Sequence, residues 1–285
     1  MQSRNPVLNR ISSEQSSGSG GQGFAYDEGR SAYQQAATAQ ATMDAATVGQ
    51  QPATSQRSHT PVTLNDVIVK TGINFVILLV GGFIGWQVYP SAPWVMWVAL
   101  LVGLGLAMAN IFMKKVQPVL VMLYAFVEGV FLGGISFFYD ALVQQVQYEG
   151  LVQQAIIGTL VAFGVMLALY STNIIKVNGK FMKVMMVALI SYALIAFASL
   201  IAAIFGVGDG WGFYGVGTLG LVLCALGVLL AAFTLNLDFE AIKQSVAMGM
   251  PERESWRLSF GLLVTLIWLY LEILRFLAIF ALARE

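Results

Sequence analysis

Charge is what this chain has least of: of 285 residues only 11% are Asp, Glu, Lys or Arg, while 58% are hydrophobic. A soluble domain carries about a quarter charged residues, so the composition already points away from water as the main solvent. The formal net charge is zero, which leaves no electrostatic basis for binding nucleic acid. The single cysteine, Cys224, lies inside an apolar run and has no partner for an internal disulfide. The single histidine, His59, precedes the first apolar run, which excludes a multi-histidine metal site. No lysine lies between Leu258 and Leu282, so a retinal Schiff base in the last apolar run is excluded too. Neither a phosphate-binding GxxxxGK[ST] loop nor an HExxH zinc pair occurs, and no nucleophile–base set is visible. The chain is therefore expected not to be an enzyme and to carry no cofactor.

What is present is a set of seven long apolar runs, near Ile73–Tyr89, Trp94–Phe112, Val119–Phe138, Val152–Thr172, Lys183–Phe205, Tyr214–Leu235 and Leu258–Leu282. Each is long enough to cross about 30 Å of hydrocarbon as a helix. The expected fold class is all-α, a seven-transmembrane-helix bundle over residues 63–285, preceded by a disordered tail over 1–62. The tail does not read as a secretory signal. It is rich in Gln, Ser, Ala, Gly and Thr and has too little apolar surface to offset its ordering entropy, although Ser31–Ala46 could form a transient helix. Thr63-Leu64-Asn65-Asp66 fits a capping-box start, so the first helix should begin before the membrane, with Lys70 at its inner surface.

Basic residues alternate from one connection to the next. Lys114 and Lys115, then Lys176, Lys180 and Lys183, then Lys243, Arg253 and Arg257 follow the second, fourth and sixth runs. The other three connections carry only Asp140, Glu149 and Asp209. The positive-inside rule then puts the N-terminus in the cytoplasm and the C-terminus outside, in a multi-pass protein of the cell membrane. Trp86, Tyr89, Trp94, Trp97, Trp211 and Tyr214 gather at the expected outer boundary and Trp256 marks the inner one. Gly81/Gly85 and Gly129/Gly133 have the spacing that lets helix backbones approach, within one bundle or across a dimer.

Ionisable residues inside the runs are few: Glu128, Asp238, Glu240, Glu272 and Arg275. A carboxylate in hydrocarbon costs a few kcal/mol or more, so each should face a partner, a cavity or an ion path. Glu128 falls halfway along the third run and either holds a proton or reaches across to another helix, with Arg275 as its competing partner. Glu272 is about 21 Å into the seventh run at 1.5 Å per residue. Arg275, at i+3, can pair with it along the helix, an ion bridge that needs no transport role. Asp238 is at the inner end of the sixth run, which Ile242, Val246 and Met248 could prolong; Glu240 belongs to another face, at the interface. Tyr139-Asp140 and Gly206-Val207-Gly208-Asp209 have the form of intramembrane aspartyl protease signatures, but both sit at outer ends of runs, where Gly and Asp make turns.

The layout and the acidic segments Leu237-Asp238-Phe239-Glu240-Ala241-Ile242 and Leu269-Tyr270-Leu271-Glu272 resemble the Bax inhibitor-1 family, including its bacterial members, from about Asn65 to the C-terminus. That resemblance implies a proton-sensitive calcium (Ca²⁺) leak channel gated by a carboxylate pair, Asp238 and Glu272, between helices six and seven. The pair would also give permeating Ca²⁺ a weak metal contact, with Arg275 as a modulating counter-charge and Glu128 as a third acid in the ion pathway. The physics is coherent: two carboxylates a few Å apart cannot both ionise cheaply and so share a proton, and hard oxygen ligands suit Ca²⁺. This chain departs from the family pattern in having Glu272 in place of Asp, Asn236 and Leu237 where a tyrosine is common, and Arg275 one turn from Glu272. The alternative is a non-conducting membrane regulator that binds a membrane protease or other membrane protein, with the tail as its arm. A proton-coupled solute transporter is a third class, without a convincing inverted repeat to support it. The lipid bilayer is the one partner the composition itself implies.

Overall fold

The computed structural model describes residues 60–208, 211–215 and 217–284. Residues 1–59 of the expected disordered tail, with its helical stretch and His59, lie outside the described residues; residues 60–62, expected in that tail, are instead ordered by backbone pairing of Thr60 and Val62 to Glu252 and Met250. Among the described residues, seven helices are long and apolar enough to cross a membrane: α1 (Leu64–Val88), α2 (Trp94–Phe112), α3 (Pro118–Gln144), α4 (Leu151–Ser171), α5 (Gly179–Ile204), α6 (Thr218–Ala247) and α7 (Ser255–Leu282). The chain is an all-helical, multi-pass membrane protein.

Local chemistry sets the helix ends. Thr63 caps α1, its hydroxyl accepting from Asp66 N at 3.2 Å while its own N–H donates to Asp66 Oδ2 at 2.9 Å, the reciprocal capping box. Pro118 opens α3 at a position where a missing N–H costs nothing. Asn178 caps α5 by accepting from Phe181 N at 2.8 Å. The sixth span starts later than the apolar run. Gly212 adopts φ 63° in a short 3₁₀ turn, Gly212–Tyr214, against Ser199 of α5, and α6 begins only at Thr218. Tyr214 is thus a buried turn residue and not part of a membrane-crossing helix. At its other end α6 runs on to Ala247, which leaves Asp238 nine residues, about 14 Å, inside the helix.

The central helices are α3 and α7, whose faces are the most thoroughly covered, whereas α5 is exposed along nearly its whole length. The closest approach is between α1 and α3. A methyl group at Gly85 would run into the carbonyl of Val130, and one at Gly133 into that of Gly82. The small-residue spacings seen in the sequence therefore meet each other within the bundle. One apolar cluster, around Leu235, Leu269 and Leu274, joins α4, α6 and α7; another, around Val121, Ala125 and Leu263, joins α2, α3 and α7. α7 belongs to both.

A clasp closes one end of the bundle, where the chain enters α1 and where α6 passes into α7. Val62 N donates to Met250 O at 2.7 Å and Glu252 N to Thr60 O at 2.8 Å, pairing the two segments as a minimal antiparallel bridge. Lys70 completes it with a 3.1 Å ion pair to Glu252 and a 2.6 Å bond to Ser255 Oγ. Arg253 from the same connection and Arg257 from the first turn of α7 donate to carbonyls of the α2–α3 connection, at Val116 (2.8 Å) and Met113 (3.2 Å). One turn deeper, Asn74 Nδ2 donates to Ser259 Oγ at 2.8 Å.

Candidate functional site: the α6–α7 seam

Two complementary stripes make the seam. On α6, Gly227, Ala231, Leu235 and Asp238 recur at spacings of four, four and three; on α7, Gly261, Thr265, Trp268 and Glu272 recur at four, three and four. Small residues in each stripe make room for large or polar ones opposite. The acids occupy its two ends.

Glu272 sits against Gly227: a methyl group there would lie 2.7 Å from Glu272 Oε2 and would also strike the Tyr192 hydroxyl. The glutamate is only 2% exposed. Its Oε1 accepts two hydrogen bonds, from Tyr192 of α5 at 2.8 Å and from the indole N–H of Trp268 at 3.0 Å. Arg275 Nη1 lies 3.9 Å from Oε2, an ion pair, while Oε2 itself has no hydrogen-bond partner. The guanidinium in turn stacks over the Tyr214 ring at 4.8 Å. A carboxylate, two aromatic donors and a stacked cation thus tie α5, α7 and the turn before α6 around the glycine of α6.

Asp238 is held far less. It lies beside Gly261, 3.9 Å from where a methyl group would sit, and beside Thr265, whose hydroxyl donates at 3.3 Å to the Gly261 carbonyl. Its Oδ2 is buried with no hydrogen-bond partner. Two residues earlier Asn236, fully buried, also leaves its carbonyl oxygen without one.

The structure does not bring Asp238 and Glu272 together. Gly227, which touches Glu272, is eleven residues from Asp238 along α6, about 16 Å of helix. A shared proton needs carboxylates a few Å apart, and joint Ca²⁺ ligation needs oxygens at about 2.3–2.6 Å. The expected carboxylate pair, and the joint metal contact built on it, are therefore corrected to two separate positions on one seam. The physical reason is that antiparallel helices set residues level in the membrane only when their distances from the shared connection match. Measured from Pro251 in that connection, Asp238 is thirteen residues before and Glu272 twenty-one after. Of the two readings of Glu272, the ion bridge to Arg275 is the one formed.

Glu128 is separate again. It is buried on α3 with its Oε2 2.5 Å from where a methyl group on Gly103 would stand, so it fills a notch in α2. No ion pair among the described residues includes it, and Arg275 is engaged elsewhere. Glu240 turns to α4, accepting from the Tyr170 hydroxyl at 2.8 Å. Among the described residues no three His, Cys, Asp or Glu side chains gather as a metal site. The residues missed in the sequence are Tyr192, Trp268 and Gly227. Trp268 could have been found, because it stands at i−4 from Glu272. Tyr192 could not, since nothing in the pattern of α5 says which neighbour it faces.

Comparison with known families bears on the same arrangement. No curated protein matches the chain. The family described as Bax inhibitor 1 like matches residues 5–282, which takes in most of the N-terminal tail as well as all seven helices and extends the resemblance well upstream of Asn65. With nearly the whole length matched, the chain belongs to the Bax inhibitor 1 like family of membrane proteins.

Proposed function

We propose that the protein is a proton-sensitive cation leak pathway, permeable to Ca²⁺, in which Asp238 and Glu272 act at two levels of the α6–α7 seam and not as one shared-proton pair. The observation that carries this reading is that each acid keeps one buried oxygen without a hydrogen-bond partner, an expensive arrangement in hydrocarbon. At one level, Asp238 offers a carboxylate oxygen that a passing cation can touch weakly, as conduction requires. At the other, Glu272 in its charged form holds Arg275, Trp268 and Tyr192; a proton on it removes the charge that keeps them in place and loosens α5 and α7 around Gly227. Glu128, in the notch of α2, is a third acid, away from the seam, that contributes to the pathway's proton response. Arg275 modulates the response as the counter-charge of Glu272. No catalysis and no cofactor enter this reading; Ca²⁺ is the permeant ion, and the clasp end of the bundle faces the cytoplasm of a cell-membrane protein.

Calcium flux into proteoliposomes, measured against pH, tests it. Wild type is expected to conduct, Glu272→Gln to conduct with a flattened pH response, and Asp238→Asn to conduct less. Unchanged flux and pH response in both variants would sink the proposal. The two hydrogen bonds and the ion pair of Glu272 favour a second reading, a non-conducting regulator that binds a membrane protease or other membrane protein through its tail. Absence of flux from pure protein, with a co-purifying membrane protein lost on deletion of residues 1–59, would select it.

A further inference from the structure

A large recess in the bundle lies away from both acids. It is a cavity of about 1330 Å³ between α1, α3, α4 and α7. Its walls are apolar, with Phe75, Leu79 and Phe83 from α1, Ile156 and Leu160 from α4 and Leu266 from α7. Several of these side chains are open to whatever fills it: Phe83 is 68% exposed, Leu79 50% and Leu160 52%. Ser136, Thr159 and Tyr270 are polar residues along the wall, but the charged residues gather at one end. Asp140, Gln144, Gln147, Glu149 and Gln153 line one end, by Trp86, around the connection between α3 and α4. At the opposite end Thr71 keeps a buried hydroxyl without a hydrogen-bond partner. Among the described residues no Lys or Arg lines the cavity.

Its length is informative. From Thr71 to Trp86 the cleft follows fifteen residues of α1, about 22 Å at 1.5 Å per residue. One leaflet of a bilayer, headgroup included, is half of about 40–45 Å. The recess therefore has the length, the mostly apolar body and the single charged end of one lipid molecule. It is too long and too one-sided in polarity for a compact solute, whose pockets usually measure about 300–1,000 Å³.

The rim chooses the headgroup. Asp140 and Glu149 are acceptors for a cation, and the Gln147 and Gln153 amides supply N–H donors for a phosphate diester. With no basic residue described on the rim, an anionic headgroup meets like charge, while a primary amine meets two carboxylates. We propose that this cleft is a binding site for one zwitterionic aminophospholipid of the phosphatidylethanolamine type, seated in the leaflet on the side of the α3–α4 connection. The site is independent of ion conduction, so the two proposals stand or fall separately.

The test is native mass spectrometry of the full chain released from nanodiscs of equal phosphatidylethanolamine and phosphatidylglycerol. The expected result is one retained lipid, with the ethanolamine species enriched about fivefold over the glycerol one. Asp140→Asn combined with Glu149→Gln should keep a lipid but lose the preference. Leu79→Trp, at a half-exposed lining position, should expel the lipid while the thermal unfolding temperature stays near wild type. Retained lipid in the bulk ratio, preference for the anionic species, or retention unchanged in Leu79→Trp would each overturn the proposal.

Discussion

The two ends of the α6–α7 seam solve the same problem in opposite ways. At one end Glu272 is surrounded: two hydrogen-bond donors, a guanidinium and a glycine that lets them all approach. At the other Asp238 has a glycine and a hydroxyl for neighbours and a buried oxygen with nothing to accept from. The first arrangement makes a charge structural, because removing any partner strands the others. The second leaves a charge available, because little in the protein depends on it. An acid in a membrane is thus not one kind of signal; the donors around it decide whether it fastens helices or serves something that passes.

The comparison breaks most visibly at Arg275. Arg275→Ala strands Glu272 and should cost about 3–5 kcal/mol, read as a fall in the unfolding temperature of the detergent-solubilised protein. Combining it with Glu272→Gln should recover much of that loss, because the pair is then removed whole. Tyr192→Phe takes away one hydrogen bond to a charged acceptor and should cost about 1.5–3 kcal/mol in the same assay. Asp238→Asn should do the reverse, raising stability by about 1 kcal/mol by deleting a poorly compensated buried charge. If it destabilises as much as Arg275→Ala, the two ends are alike and the contrast is wrong. Lys70→Ala marks the lower limit. Its partner Glu252 is half exposed, so stability should change by about 0–1 kcal/mol, while hydrogen exchange at Val62 and Glu252 quickens.

Helices and their ends were largely readable from the chain. The capping box at Thr63 and the continuation of the sixth helix through Ile242 follow from rules that act over a few residues. The glycine pairs of α1 and α3 were readable as close-packing positions, though not as each other's partners. The seam was only half readable. Asp238, Glu272 and Arg275 stand out because charge in an apolar run is rare, and the Glu272–Arg275 bridge follows from i,i+3 spacing. That Glu272 would choose Tyr192 and Gly227, and that Asp238 would lie about three helical turns away from it, depends on how far α6 slides along α7. Helix register of that kind is set by side-chain packing, which leaves no local mark. The late start of α6 was likewise hidden, because Tyr214 is apolar enough to extend the run while Gly212 and Gly217 end it.

The clasp and the Asn74–Ser259 bond join the first helix to the last, across 185 residues of chain in the case of Asn74. During synthesis α1 enters the membrane long before α7 exists. Until the ribosome has delivered Ser255 and Ser259, Lys70 and Asn74 have no partners from α7 and stand as polar side chains on a mostly apolar helix. A truncated chain therefore displays those two groups to lipid or to the insertion machinery, and a finished one hides them. The same contacts that close the bundle report that the last described helix has arrived.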